Sequence, residues 1–109
     1  AVANDRQRQG IGARLLVAEA DGRPAGLVTV APDTGYIDQI AVATWAQRRG
    51  VAAQLIAAAR AISPAILELH VNQDNEPAVA FYRREGFAVS GAAANPRSGA
   101  PTFRMTWRA

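Results

Sequence analysis

The most constraining feature of this chain is an ordered triplet between residues 36 and 72: an apolar run, a glycine-opened helical pattern and a second apolar run. "GYIDQIAVA" reads as a strand over 36–43, rich in β-branched and apolar residues. "RRGVAAQLIAAARAI" then places Val51, Leu55, Ala58, Ala59 and Ile62 at helical spacing, with Ser63-Pro64 as the stop. "AILELHVN" is a strand over 65–72. A helix between two strands of one sheet is a crossover, and a crossover makes the strands parallel. The chain therefore needs at least one parallel pair, which excludes a plain meander or a helical bundle.

The flanking segments read as antiparallel. "ARLLVAEADGRPAGLVTVA" has two apolar runs joined by Asp21-Gly22-Arg23-Pro24, the pattern of a hairpin with strands at 14–20 and 25–31. In "NEPAVAFYRREG" Asn75 is placed to cap a helix, Pro77 suits its first turn and Gly86 ends it. Strands at 87–93 and 102–108 flank the turn-rich "ANPRSGAP". The expectation is one α/β (α+β) domain over 1–109, with 1–13 an N-terminal remnant or linker and 14–109 the core. A chain of 109 residues has room for a single core.

Composition removes several chemistries. There is no cysteine, so disulfides, thiolate metal sites and a cysteine nucleophile are excluded, and a single histidine argues against a histidine-based metal cluster. All twelve basic residues are arginine, so a phosphate loop built on lysine is excluded as well. The net charge is only +3 and the arginines are scattered, which argues against nucleic acid. No apolar run nears membrane-spanning length and no leader pattern opens the sequence, so a cytoplasmic protein with no membrane partner is the default expectation.

A six-residue echo raises the question of an anion site. "QRQGIG" at Gln7–Gly12 and "QRRGVA" at Gln47–Ala52 share Q-R-x-G followed by a β-branched and a small residue. Backbone N–H groups hold phosphate oxygens where a strand passes through such a loop into a helix N-terminus. Only the second copy has that context. The first leads into a strand, and Leu15 stands where the dinucleotide fingerprint requires its third glycine.

"IAVATWAQRRGVAAQLI" resembles the acyl-CoA pyrophosphate loop of the GNAT (Gcn5-related) N-acetyltransferases, whose pattern is Q/R-x-x-G-x-G/A. "VNQDNEPAVAFYRREGF" is similar to the segment that follows in that family, with its asparagine, alanine, aromatic-tyrosine pair and terminal Gly-Phe. The resemblance implies a GNAT-like mixed, mostly antiparallel sheet with a central parallel pair that splays apart, flanked by helices. It further implies acetyl-CoA as co-substrate, no metal, and an amine acceptor attacked directly. Carried over, Ile40, Ala41 and Val42 would offer a backbone edge to the pantetheine arm. The amides of Arg48, Arg49, Gly50, Val51 and Ala52, with the Gln47 side chain, would hold the pyrophosphate. Asn75 would touch the pantetheine, and Tyr82 would lie near the thioester sulfur.

Direct attack needs a base for the ammonium and an acid for the leaving thiolate. Tyr82, protonated at neutral pH, suits the acid; without that role it is an aromatic packed beside Phe81. For the base, His70 lies on the strand after the loop, on one face with Glu68 and Asn72. Tyr36 opens the preceding strand. Their spacing resembles a tyrosine-histidine pair in one branch of protein N-terminal acetyltransferases, and imidazole titrates near neutrality. A hydrogen-bonded structural histidine is the plain alternative, with Asp38 and Glu68 as substitutes that could activate water. Trp45 and Trp107 are assigned to packing.

GNAT domains usually carry a further strand and two helices before the hairpin, and these shape the acceptor pocket. Two expectations follow: a processed or partial chain, or a homodimer in which a second subunit supplies the acceptor wall. The function expected is N-acetylation of a primary amine, a peptide N-terminus or a small amine. The competing expectation is a non-catalytic acyl-CoA-binding or regulatory module.

Overall fold

Asp21 and Gly22 both adopt positive φ, 54° and 75°, the conformation of a two-residue turn that matches the twist of paired strands. They join β2 (Arg14–Ala20) to β3 (Arg23–Val30) in the computed structural model, which describes residues 2–7 and 12–109. The turn is thus shorter than the sequence suggested, and β3 begins at Arg23 instead of 25. Pro24 is tolerated there because it sits at the strand's start, where the register slips between Ala18 and Glu19. β1 (Val2–Gln7) pairs antiparallel with β2. Residues 8–11, the heart of the first Q-R-x-G copy, lie outside the described residues.

β4 (Ile37–Val42) completes a four-stranded antiparallel sheet in the order β1-β2-β3-β4. A short 3-10 turn (Thr44–Ala46) leads to α1 (Val51–Ile62), which packs across β2, β3 and β4. Its Leu55, Ile56 and Ala59, spaced to one face of the helix, are fully buried against Leu16, Val28 and Val30. β5 (Ile66–Asn72), α2 (Glu76–Arg84), β6 (Ala88–Ala94) and β7 (Pro101–Arg108) follow, the strands forming a second antiparallel sheet in the order β5-β7-β6. Leu67, Leu69 and Met105 from that sheet join the same core as α1, with Tyr82 and Phe87.

Among the described residues the two sheets meet at a single parallel bridge, Tyr36 with Glu68. Gly35 makes the bridge sterically feasible. Its φ is +76°, and a Cβ there would lie 2.0 Å from the Ile66 carbonyl oxygen. The Glu68 N–H donates to the Gly35 carbonyl at 3.0 Å. Among the described residues β4 and β5 share no further ladder, so the crossover pair is parallel yet joined at one end only. Past Tyr36 the strands diverge. The Arg60 guanidinium, over the Trp107 ring at 4.8 Å, donates to the Glu85 carbonyl and ties α1 to the end of α2.

Candidate active site

The loop between β4 and α1 is shaped by backbone. Gln47 is extended (φ −64°, ψ 150°), Arg48 turns left-handed (φ 66°), and Gly50 caps α1 with φ 77° and no side-chain cap. The Gln54 N–H is bonded to the Gly50 carbonyl at 3.1 Å. Helix geometry therefore leaves the N–H groups of Val51, Ala52 and Ala53 without an acceptor inside α1. No acidic side chain stands in the first turn to compensate the helix's positive end. A cavity of about 260 Å³ opens at this point, bordered by Gln47, Arg48, Gly50, Val51 and Ala52, with Phe81 opposite.

Of the expected loop residues, Arg49 alone is not among that cavity's lining. Its guanidinium pairs with Asp21 at 2.7 Å and lies 5.6 Å from the Trp45 ring, on which Arg23 also stacks at 3.8 Å. The loop is thereby tied to the β2–β3 turn. Both partners of the pair are half-exposed or more, so solvent screens the attraction and its contribution is small.

Along the diverging strands a second cavity of about 310 Å³ lies between Ile37–Ile40 of β4 and Leu69–Asn72 of β5. Ile40 borders it and Val42 borders the loop cavity, with Ala41 between them on the strand edge. Asn75 also borders it, and the Asn75 Oδ1 accepts the Ala78 N–H at 3.4 Å, so the same residue caps α2 and faces the cleft. Tyr82 borders it too. Only 8% exposed, Tyr82 is held edge-on by Phe81 at 5.3 Å and Phe87 at 5.6 Å. Burial pushes its pKa above the ordinary 10.0, and its hydroxyl has no hydrogen-bond partner among the described residues.

Tyr36 and His70 come together where the cleft closes. The Tyr36 hydroxyl and His70 Nδ1 are 3.2 Å apart, with ring centroids at 5.8 Å. Strand alternation is as the sequence indicated: Leu67, Leu69 and Val71 are buried, while Glu68, His70 and Asn72 share the other face. Burial, then the charges of Asp38 and Glu68, raise the Tyr36 pKa, so the tyrosine keeps its proton at neutral pH. Its O–H can then donate to Nδ1 in the tautomer that carries the ring hydrogen on Nε2.

On the far side of this pair lies a third cavity of about 300 Å³, bordered by Tyr36, His70, Asn72, Asn95, Pro96 and Thr102. Asn72 and Asn95 were not singled out as site residues from the sequence. Asn72 ends β5 on the face of His70, and Asn95-Pro96 is a turn signal, but neither announces the other. Among the described residues no cluster of His, Asp or Glu could hold a metal ion, and no helix is long and apolar enough to cross a membrane.

The cleft between splayed parallel strands, with a glycine-capped helix at one end, has counterparts among known proteins. The family model described as the acetyltransferase (GNAT) domain matches residues 1–109, and the chain belongs to that family. It is 32% identical over 95 residues to the peptidyl-lysine N-acetyltransferase YiaC of Escherichia coli (strain K12), covering 87% of this chain and 64% of that protein. It is similar to the crystal structure of nourseothricin acetyltransferase, with TM-score 0.78 and 27% identity over 88% of this chain and 65% of that one. A GNAT family acetyltransferase from Elizabethkingia anophelis with acetyl-CoA bound has the same fold, with TM-score 0.74 and 19% identity over 89% and 76% of the two chains. The chain thus spans less than two thirds of the length of the first two.

Proposed function

We propose that this chain is an acetyl-CoA-dependent N-acetyltransferase that moves the acetyl group to a primary amine, a peptide N-terminus or a small amine, by direct attack. The observation that carries the reading is the single bridge between β4 and β5. It leaves β4 and β5 apart beyond Tyr36, with separate cavities at the unpaired amides of α1, beside buried Tyr82 and at the Tyr36–His70 pair. The bound acetyl-CoA of the Elizabethkingia relative and the acetyltransferase names of the other two support the co-substrate.

The residues fit that co-substrate by their chemistry. The left-handed Gly50 and the acceptor-free amides of the first helical turn suit a pyrophosphate. The Gln47 side chain and the amides of Arg48 and Arg49 extend that cradle. The open edge of Ile40–Val42 suits the amides of a pantetheine arm, which would add to β4 as a strand does, with Asn75 beside it.

In the transfer, a C–N bond forms as the C–S bond breaks. Tyr36 takes a proton from the attacking amine on its oxygen while its own hydrogen passes to His70 Nδ1 across the 3.2 Å contact. Tyr82, kept protonated by burial, gives its hydrogen to the departing sulfur. Exchange with solvent then returns both groups to their starting states. Incubation with acetyl-CoA and a panel of amines and N-terminal peptides tests the reading. Free thiol and acetylated amine should appear in equal amounts. CoA binding with no turnover on any amine would instead make the chain a binding module.

A further inference from the structure

The hydrogen bonds around Asn95 fix the orientation of a neighbouring amide that no catalytic step uses. Asn95 Oδ1 accepts the N–H groups of Arg97 at 2.9 Å and Ser98 at 3.3 Å. Only an oxygen can accept two backbone hydrogens, so the Asn95 nitrogen must point the other way. It donates to Asn72 at 3.3 Å. The Asn72 atom it meets must in turn be Oδ1, which leaves both Asn72 Nδ2 hydrogens without a partner among the described residues. Asn72 borders both the cleft and the cavity beyond Tyr36–His70.

We infer that Asn72 selects the acceptor by donating to the carbonyl oxygen next to its amine, so the acceptor class is an α-amino amide. This rests on the acetyl-transfer reading and narrows it. Asn72 and His70 are two residues apart on one face of β5, about 7 Å. Tyr36 borders the same cavity as Asn72, so an amine hydrogen-bonded to the Tyr36 oxygen can present its adjacent carbonyl to Asn72. The lining of that cavity contains no carboxylate, and Asp38 and Glu68, whose charges reach Tyr36, lie outside it. Asn95 is a positioning residue: it builds the β6–β7 turn, through Gly99 N–H to its carbonyl at 2.8 Å and its own N–H to Ala100 at 2.7 Å, and holds the Asn72 amide in register.

The test is Asn72→Asp, which keeps an oxygen for Asn95, removes the donors and adds a charge that all three amines below meet alike. Calorimetry on the CoA-saturated protein compares alaninamide with sec-butylamine, which replaces the amide by an ethyl group, and with Nα-acetyl-lysinamide, whose free amine is distant from any carbonyl. The parent should bind alaninamide at least tenfold more tightly than either. In the variant that preference should collapse to about one, and because it is a ratio within one protein, altered stability does not imitate it. An alanine tripeptide amide that binds as well as alaninamide assigns the site to chain termini; its exclusion assigns the site to free small amides. Equal binding of the three amines by the parent, or a preference that survives Asn72→Asp, overturns the inference while the cofactor reading stands. Failure to bind CoA at all overturns both.

Discussion

The two ends of the cleft are built from different materials. At the α1 end the groups facing the cavity are main-chain amides, positioned by the φ values of Arg48 and Gly50 and by the helix itself. At the Tyr36–His70 end they are side chains from β4, β5 and the β6–β7 turn, aligned by hydrogen bonds between residues far apart in sequence. A backbone site tolerates changes of side chain but not of conformation. A side-chain site behaves the opposite way, so the two should respond differently to the same kind of substitution.

The largest effect should come from His70→Ala. Loss of the proton acceptor should lower kcat about 100-fold, within the range of general base catalysis, while CoA affinity stays near that of the parent. Tyr36→Phe should act in the same direction but less. The double variant should be little worse than His70→Ala, because both side chains serve one proton path. A kcat of His70→Ala equal to the parent's would return Asp38, Glu68 or bulk water to the base role.

Tyr82→Phe keeps the ring among Phe81 and Phe87 and removes the hydroxyl, so kcat should fall about tenfold with little change in CoA affinity. The sign of its pH dependence follows from burial. A pKa raised above 10.0 means the proton is held as pH climbs, and an acid loses its function only above that value. The deficit of the variant should therefore be constant from about pH 6 to pH 9. A deficit that vanishes toward pH 9 would mean that Tyr82 is not the acid.

Gly50→Val sharpens the contrast from the other side. A β-branched residue at φ 77° is strained by about 1–2 kcal/mol, and relief of that strain must turn the loop amides away. CoA affinity should fall about tenfold, equivalent to about 1.4 kcal/mol, with kcat at saturation nearly intact. Gly99→Val is the control, since Gly99 has the same left-handed sign, φ 75°, and equally open surroundings far along the chain. Calorimetry showing equal losses at the two positions would remove the loop from the cofactor site.

Much of this was legible from residue order. The β2–β3 hairpin, the span of α1 and the Asn75 cap came from local patterns whose physics is local too: alternation, helical spacing, an asparagine before a proline-led helix. β1 was not legible, because "VANDRQ" has no alternation and is a strand only by pairing with β2. The Tyr36–His70 pair could be suspected from spacing, since both sit on strands joined by one crossover. The Asn72–Asn95 contact could not, because it depends on how the β6–β7 turn folds back over the end of β5.

The sequence by itself thus determined the elements, the parallel sense of the crossover strands and the one context in which a Q-R-x-G loop opens a helix. Those follow from interactions within a few residues, where backbone preference and periodicity decide. Only the tertiary structure decided that β4 and β5 meet at a single bridge, and that a cavity opens between them past it. That choice is collective: it depends on the close approach of Gly35 to Ile66 and on β5 finding its ladder partner in β7, thirty or more residues further along the chain.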